Sequence, residues 1–252
     1  MEYVALLRKS EDEMNELISA LSVNVTDFFR DTGAFEALTE QVIRPLASLK
    51  MELGWSTLRI WSAGCATGQE PYTIAICVAE ELKKSEKGGD LVVRIQGTDL
   101  SKAALNVATR GVYSEAQVKG IPKDILSEYF TKDDSGYQVS PSIRRMTKFS
   151  EGNLLDSPSL KYIDLIVCRN VVIYFSRPMH DVLVKNFYTA LRPGGYLMLG
   201  KTETLMGSPR RLFEAVDHEN RIFRKSTDEQ AVSQTSDDAR AGASDSASKR
   251  SV

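Results

Sequence analysis

The chain has 252 residues, 42% of them hydrophobic, and a formal net charge of −2. This length favours one large α/β domain with small attachments over two full domains, and the near-neutral charge excludes a global field that would draw the protein onto nucleic acid or an anionic membrane. Cys65, Cys77 and Cys168 lie far apart without CxxC spacing, and no apolar run reaches the roughly 18 residues of a membrane span, so a reduced, cytoplasmic chain without membrane insertion is expected.

Apolar residues at Tyr3, Leu6, Leu7, Met14, Leu17, Ile18 and Leu21 recur at helical spacing, and Phe35, Leu38, Val42, Leu46 and Leu49 repeat the pattern, with Pro45 as a kink or break. These two helices flank the segment Asn24 to Arg30. Leu58 to Ser62 then reads as a buried strand, Pro71 to Leu82 as a helix, Leu91 to Ile95 as a second strand, and Ser101 as the cap of a helix ending near Arg110. Alternation of strand and helix is the signature of a parallel sheet covered on both faces.

Between Gly111 and Phe149 the alternation stalls. Pro122 to Phe130 looks helical, and the strands Tyr137–Val139 and Met146–Phe149 around Pro141 suggest an inserted β-hairpin. The parallel pattern resumes with a strand at Ile163–Cys168, a helix from about Pro178 to Leu191 and a strand at Gly195–Leu199. Arg211–Val216 and Arg221–Arg224, joined by a polar turn, predict an antiparallel terminal hairpin. From about Ser226 onward the composition is that of a disordered tail.

The candidate chemistry lies at strand ends. Trp61-Ser-Ala-Gly-Cys-Ala-Thr-Gly-Gln-Glu70 leaves the first strand and enters a helix, so Gly64 and Gly68 are read as letting the backbone approach a ligand. Its spacing is neither the GxGxxG of a dinucleotide site nor a Gly-Lys-Ser/Thr phosphate loop. Asp99, ending the second strand, could accept both ribose hydroxyls of an adenosine, or merely help to cap the helix begun by Ser101. Glu70, favoured by the helix dipole in any case, could neutralise a cationic ligand, and S-adenosylmethionine offers both an ammonium and a sulfonium. Arg169, Asn170 and Tyr174 stand at the exit of the Ile163–Cys168 strand, where open α/β folds bind ligands. The competing structural reading pairs Arg169 with Asp99 or Asp156 and buries the Tyr174 ring.

Asn24-Val-Thr-Asp-Phe-Phe-Arg-Asp31, the Gly64 loop running on into Gln-Glu-Pro-Tyr-Thr, and Cys168-Arg-Asn-Val-Val-Ile-Tyr-Phe175 resemble the CheR family of chemotaxis-receptor glutamate methyltransferases. Gly97-Thr-Asp-Leu, Gly152-Asn-Leu-Leu and Arg192-Pro-Gly-Gly-Tyr-Leu follow in the matching order, and the similarity spans roughly Glu2 to Lys225. The resemblance implies an α/β fold: a Rossmann-like S-adenosylmethionine-dependent methyltransferase sheet at 51–225, a short N-terminal helical region at 1–50 and a small β-subdomain inserted at about 131–149, with a tail at 226–252.

It further implies that Asn24, Thr26, Arg30, Glu70, Asp99, Asn153, Leu154, Arg169 and Asn170 contact the cofactor, to which the position of the glycine loop adds Gly64, and that Arg30 and Tyr174 flank the transferred methyl. S-adenosylmethionine would be the cofactor and S-adenosylhomocysteine the product, with no metal. The partner would be the cytoplasmic methylation region of methyl-accepting receptors.

Two departures from the family pattern stand out. The N-terminal region is short and its Glu11, Asp12, Glu13 and Glu16 do not make a basic docking helix, and Lys201 stands where many members have histidine. Basic Arg144, Arg145 and Lys148 of the expected hairpin suggest receptor docking, and the compact Asp133-Asp-Ser-Gly-Tyr137 turn suggests that no receptor-tail tether is gripped. Alternatives are a small-molecule methyltransferase, a non-catalytic cofactor sensor or docking module, and a dinucleotide oxidoreductase, the last disfavoured by the missing third glycine.

Overall fold

The computed structural model describes residues 26–85, 91–206 and 211–226, together with Tyr3 and Glu13. The helix expected at Tyr3–Leu21, the tail and Asn24 lie outside the described residues, though Tyr3 and Glu13 are each helical. The rest of the lead segment is a helix in two parts. Strand and helix labels used below are α1 Thr32–Leu38 and α2 Arg44–Glu52, with a π-helical turn at Thr39–Ile43 between them. Pro45 therefore does not break the helix: a widened turn precedes it, the usual way of accommodating a residue that cannot donate backward.

The alternating elements are β1 Thr57–Ala63, α3 Gln69–Lys83, β2 Val92–Asp99 and α4 Lys102–Arg110. Pro71 sits in the first turn of α3, where its missing N–H costs no helical bond. In α4 the Ser101 hydroxyl accepts from Ala104 N at 3.2 Å, and Gly111 ends the helix in the left-handed region at φ 64°. After the strands and short helices of the insert come β6 Thr147–Glu151, β7 Ile163–Cys168, α8 Arg177–Ala190, β8 Leu191–Leu199, β9 Phe213–Asp217 and β10 Ile222–Lys225.

These strands form a seven-stranded sheet in the order β6-β2-β1-β7-β8-β10-β9. Strands β6, β2, β1, β7 and β8 are mutually parallel, whereas β10 is antiparallel to β8 and pairs with β9 as the expected terminal hairpin. Strand alternation divides the core into two layers. Leu58, Ile60, Leu165 and Val167 pack with α1, α2 and α3 on one face, and Trp61, Ala63, Ile166 and Cys168 pack with Leu183 and Phe187 of α8 on the other. The Trp61 ring meets Phe187 edge-on at 5.5 Å and its Nε1 donates to Thr98 Oγ1 at 2.8 Å, so a buried indole keeps its polar end satisfied.

The insert differs from the expected hairpin at 137–149. A separate three-stranded antiparallel sheet contains β3 Val112–Tyr113, β5 Gly136–Val139 and β4 Phe130–Asp133, while α5 Glu115–Val118 and α6 Lys123–Tyr129 lie between its strands. Tyr137–Val139 thus pairs backward, to β4 and β3. Thr147–Glu151 leaves the insert and joins the main sheet beside β2. Between them Pro141–Met146 is a helix, α7, begun by a proline in its first turn rather than a hairpin turn. The real hairpin turn is at Asp133–Gly136, where Asp133 Oδ1 accepts from Ser135 N at 2.8 Å.

Candidate active site

The carboxyl ends of β1, β2, β6 and β7 meet around the glycine loop after β1. Gly64 N and Cys65 N donate to Thr98 O at 2.8 and 3.0 Å, which pins the loop to the end of β2. Ala66 N donates to Asp99 Oδ2 at 2.8 Å, and Gly68 N to Cys65 O at 3.0 Å. These four donors are consumed within the protein, so the loop does not present them to a phosphate.

Packing alone calls for glycine at both positions. Gly64 and Gly68 hold φ of 76° and 95°, and a Cβ would meet Val171 Cγ2 at 2.5 Å in the first case and Ala108 Cβ at 2.8 Å in the second. Their freedom serves close packing against neighbouring chain; Gly68 lies under Tyr113, whose hydroxyl donates to Thr67 O at 2.7 Å.

Asp99 is held at both oxygens, with Ser101 N donating to Oδ1 at 2.9 Å beside the Ala66 bond at Oδ2. The capping contribution is therefore real, yet a carboxylate has about four acceptor positions, leaving outward lone pairs for hydroxyl donors. Gly152 N donates to Asp99 O at 3.0 Å, which sets Asn153 and Leu154 beside it. Asn153 Oδ1 accepts from Leu155 N at 3.1 Å and Leu154 is buried, so this turn is rigidly formed.

Glu70 opens α3 and accepts from the Ser62 hydroxyl at 2.7 Å. Burial pushes its carboxyl above the usual carboxylate range; Arg169, the Ser62 hydrogen bond and Arg30 oppose that rise, while Glu203 adds to it. A half-hidden acid with this bias gains by meeting a cation. Burial likewise raises the Cys65 and Cys168 thiols, which are packed and inert.

Arg169 resolves differently from either structural partner expected for it. Its Nη1 donates to Arg30 O at 2.9 Å, its Nη2 pairs with Asp31, and the guanidinium stacks 4.9 Å from the Phe35 ring. The sheet edge thereby grips the Thr26–Asp31 segment. That segment is anchored from its other side by Phe28, edge-on to Tyr113 at 4.9 Å and Phe130 at 5.2 Å, and by Phe29 N donating to Thr73 Oγ1 at 3.1 Å. Phe29 and Asp31 take φ of 53° and 60°. A bulky residue in that region costs on the order of 1–3 kcal/mol, so surrounding contacts hold Arg30 in a conformation the free segment disfavours. Ala66 and Asn170, at φ 45° and 60°, add two more left-handed residues to the same rim.

Thr26 is half-buried at the start of the segment. Tyr174 ends a 3-10 turn, Val172–Tyr174, and is 61% exposed, so its ring is at the surface and not in the core. Glu203 is the neighbour that motif reading passed over. It is 3% exposed and its carboxylate accepts from the backbone of Gly200 at 2.6 Å, Asn170 at 3.0 Å, Val171 at 2.8 Å and Val172 at 2.7 Å. Its signal in the sequence was an acid in the polar stretch Gly200-Lys-Thr-Glu203 that follows the apolar strand β8; Lys201 near it is exposed. Among the described residues no group of three or more His, Cys, Asp or Glu is placed to hold a metal ion, and no helix is long and apolar enough to cross a membrane.

A family model described as "CheR methyltransferase, SAM binding domain" matches residues 24–222. A chemotaxis protein methyltransferase of Borreliella burgdorferi is 36% identical over 212 residues, covering 82% of this chain and 74% of that protein. Chemotaxis protein methyltransferase 1 of Pseudomonas aeruginosa is 39% identical over 197 residues, covering 77% and 70%. Chemotaxis protein methyltransferase 2 of Vibrio cholerae is 34% identical over 222 residues, covering 86% and 73%.

Proposed function

The chain belongs to the CheR methyltransferase family, and from that premise we propose that it transfers a methyl group from S-adenosylmethionine to glutamate side chains of chemotaxis receptors. The observation that carries this reading is the convergence, at one sheet edge, of a half-buried acid with a raised carboxyl and a strained arginine segment held by Arg169. When bound, S-adenosylmethionine supplies an electrophilic methyl on a cationic sulfur. Glu70 would balance its positive charge, Asp99 would accept from ribose hydroxyls through its free lone pairs, and Asn24, Thr26, Gly64, Asn153, Leu154, Arg169 and Asn170 would complete its pocket.

A glutamate side chain is ionised near neutral pH, so it attacks the methyl carbon without a general base. Transfer would form the O–C bond as the C–S bond breaks, with the electron pair leaving on sulfur, and would give a methyl ester and S-adenosylhomocysteine. The protein's task is alignment, which in favourable cases is worth about 7–11 kcal/mol. Arg30 would orient the acceptor carboxylate by paired hydrogen bonds, and the exposed Tyr174 would wall the transfer site.

Receptor docking is assigned to the corrected position of the basic residues. Arg144 and Arg145 of α7 and Lys148 of β6 line a cleft of about 490 Å³ with Tyr72, Thr109 and Phe149, and this positive face suits an acidic receptor segment. The tight Asp133–Gly136 turn supports direct recognition of the methylation region without a tail tether. A tritiated-methyl assay with receptor membranes, followed by base-labile methanol release, tests the activity. Calorimetry should show S-adenosylhomocysteine binding and no NAD binding, and the reverse result would sink the reading. Replacing Arg144 and Arg145 with Ala should lower receptor methylation while leaving cofactor affinity intact; unchanged methylation would remove the docking role.

A further inference from the structure

We propose that Glu203 is a positioning residue for methyl transfer: its buried carboxylate sets the backbone of the Arg169–Tyr174 turn, and through Arg169 sets Arg30. This rests on the methyltransferase reading above. Four backbone donors, from Gly200, Asn170, Val171 and Val172, lie within 3.0 Å of its two oxygens, and Ile173 N approaches at 3.4 Å.

A carboxylate stripped of water is costly unless its acceptor positions are filled by hydrogen bonds. Here they are filled by consecutive amides of one turn, so the bonds set where that turn lies. The turn needs such a tie. Asn170 sits at φ 60°, and Val172 and Ile173 open a 3-10 turn whose first N–H groups have no partner within it. Every residue of this turn assigned to the reaction, Arg169, Asn170 and Tyr174, is within one residue of an amide that Glu203 holds.

The packing leaves the acid no slack. A Cβ added to Gly200 would lie 2.7 Å from Glu203 Oε2 and 3.0 Å from Asn170 N. The chain is then mechanical: Glu203 places the Asn170 and Val171 amides, the turn places the Arg169 guanidinium, and that guanidinium holds the Arg30 carbonyl and Asp31. Displacing the turn moves the acceptor clamp relative to the cofactor without removing any group that touches either.

The test is kinetic, with rates expressed per folded molecule below the melting range. Transfer by the wild-type protein to receptor membranes is the control for the underlying reading; its absence would sink that reading and not this inference. Glu203→Gln should lower kcat by roughly 10- to 100-fold, the scale of a remote misplacement near 1 Å, with a smaller rise in the S-adenosylhomocysteine Kd. Glu203→Ala should regain rate as formate or acetate is titrated in, but not with chloride at equal ionic strength, because a small carboxylate can refill the ring of amides. Gly200→Ala crowds the acid without altering its charge and should reproduce the kcat loss, which keeps the inference testable if Glu203→Ala does not fold. Wild-type kcat and Kd in the Glu203 variants, whatever their melting temperature, would overturn the proposal. So would a kcat loss that no carboxylate relieves in a protein that melts like wild type.

Discussion

The two edges of the parallel sheet each bury an acid, and the acids are used in opposite ways. At the amino edge, Asp164 is 1% exposed and meets Lys50 at 3.0 Å, the Arg192 guanidinium and Arg59 N at 2.8 Å. Trp55 then closes over both cations, 5.1 Å from Lys50 Nζ and 5.6 Å from the Arg192 guanidinium. Both cations there share this one acid, and its second oxygen takes the Arg59 amide, so the edge ties α2, β1, β7 and β8 together and offers nothing to a ligand. At the carboxyl edge, Glu203 takes backbone amides instead of cations, Arg169 reaches across to another segment, and Glu70 is left with a raised carboxyl. The first edge is satisfied; the second holds polarity in reserve for what binds. That contrast locates function more sharply than burial alone, since both acids are equally hidden.

The largest effect should come from breaking the satisfied edge. Asp164→Asn strands Lys50 and Arg192 in a buried site and should cost about 3–5 kcal/mol, a Tm decrease of roughly 6–20 °C at this chain length. Methyl transfer by the folded fraction should stay unchanged; altered kcat would erase the distinction between the edges. Thermal melts and single-temperature kinetics together decide it.

Next comes Arg30→Ala at the open edge. Losing the group that positions the acceptor carboxylate should cost on the order of 10²-fold in kcat, the scale of misplaced reacting atoms, and here the loss should come with nearly unchanged Tm. Near wild-type turnover at saturating cofactor and receptor would remove Arg30 from the site. Asp99→Ala should weaken S-adenosylhomocysteine binding by roughly 1.5–3 kcal/mol, the value of hydrogen bonds to a charged group. Calorimetry reads this directly, and unchanged affinity would leave Asp99 only its bonds to Ala66 and Ser101.

The smallest effect is the dependence on pH. Because burial raises the Glu70 carboxyl above the ordinary range, the group is partly protonated in mildly acidic solution, where an ordinary glutamate is already charged. Affinity for the cationic cofactor should therefore fall as pH drops through that window, with proton release on binding, and Glu70→Gln should flatten the profile. The stability sign is the reverse of a salt-bridged acid's: with a folded value above the unfolded one, the contribution is present at low pH and lost as pH rises through the folded value. Ligand-free Glu70→Gln should accordingly melt no lower than wild type at neutral pH; a clear drop would mean that the helix dipole, and not desolvation, governs Glu70.

Much of this was legible from residue order. The apolar runs at β1 and β7, the Ser101 cap of α4, and the polar turn before Arg221 each have a local cause, and the observed elements follow them. The insert was misread because a short strand declares its periodicity but not its partner: Tyr137–Val139 and Thr147–Glu151 are both strands, yet they belong to different sheets. Pro141 was compatible with a turn or with a helix start, and only the path of the chain between two sheets selects the helix.

The site divides along the same line. Residue type and position marked Asp99, Arg169 and Asn170 at strand ends and Glu70 at a helix start as candidates, because open α/β sheets bind ligands at that edge. The partner of Arg169 is 138 positions away at Asp31, and the amides of the Asn170–Val172 turn held by Glu203 are 31 to 33 positions before it. No local pattern encodes such pairings. Outside the insert, the sequence by itself determined which residues are strand, helix and strand-end polar, since those follow from nearest-neighbour sterics and periodicity. The tertiary structure alone decided which acid meets cations and which meets amides, because a buried charge takes whichever donors the folded chain carries past it.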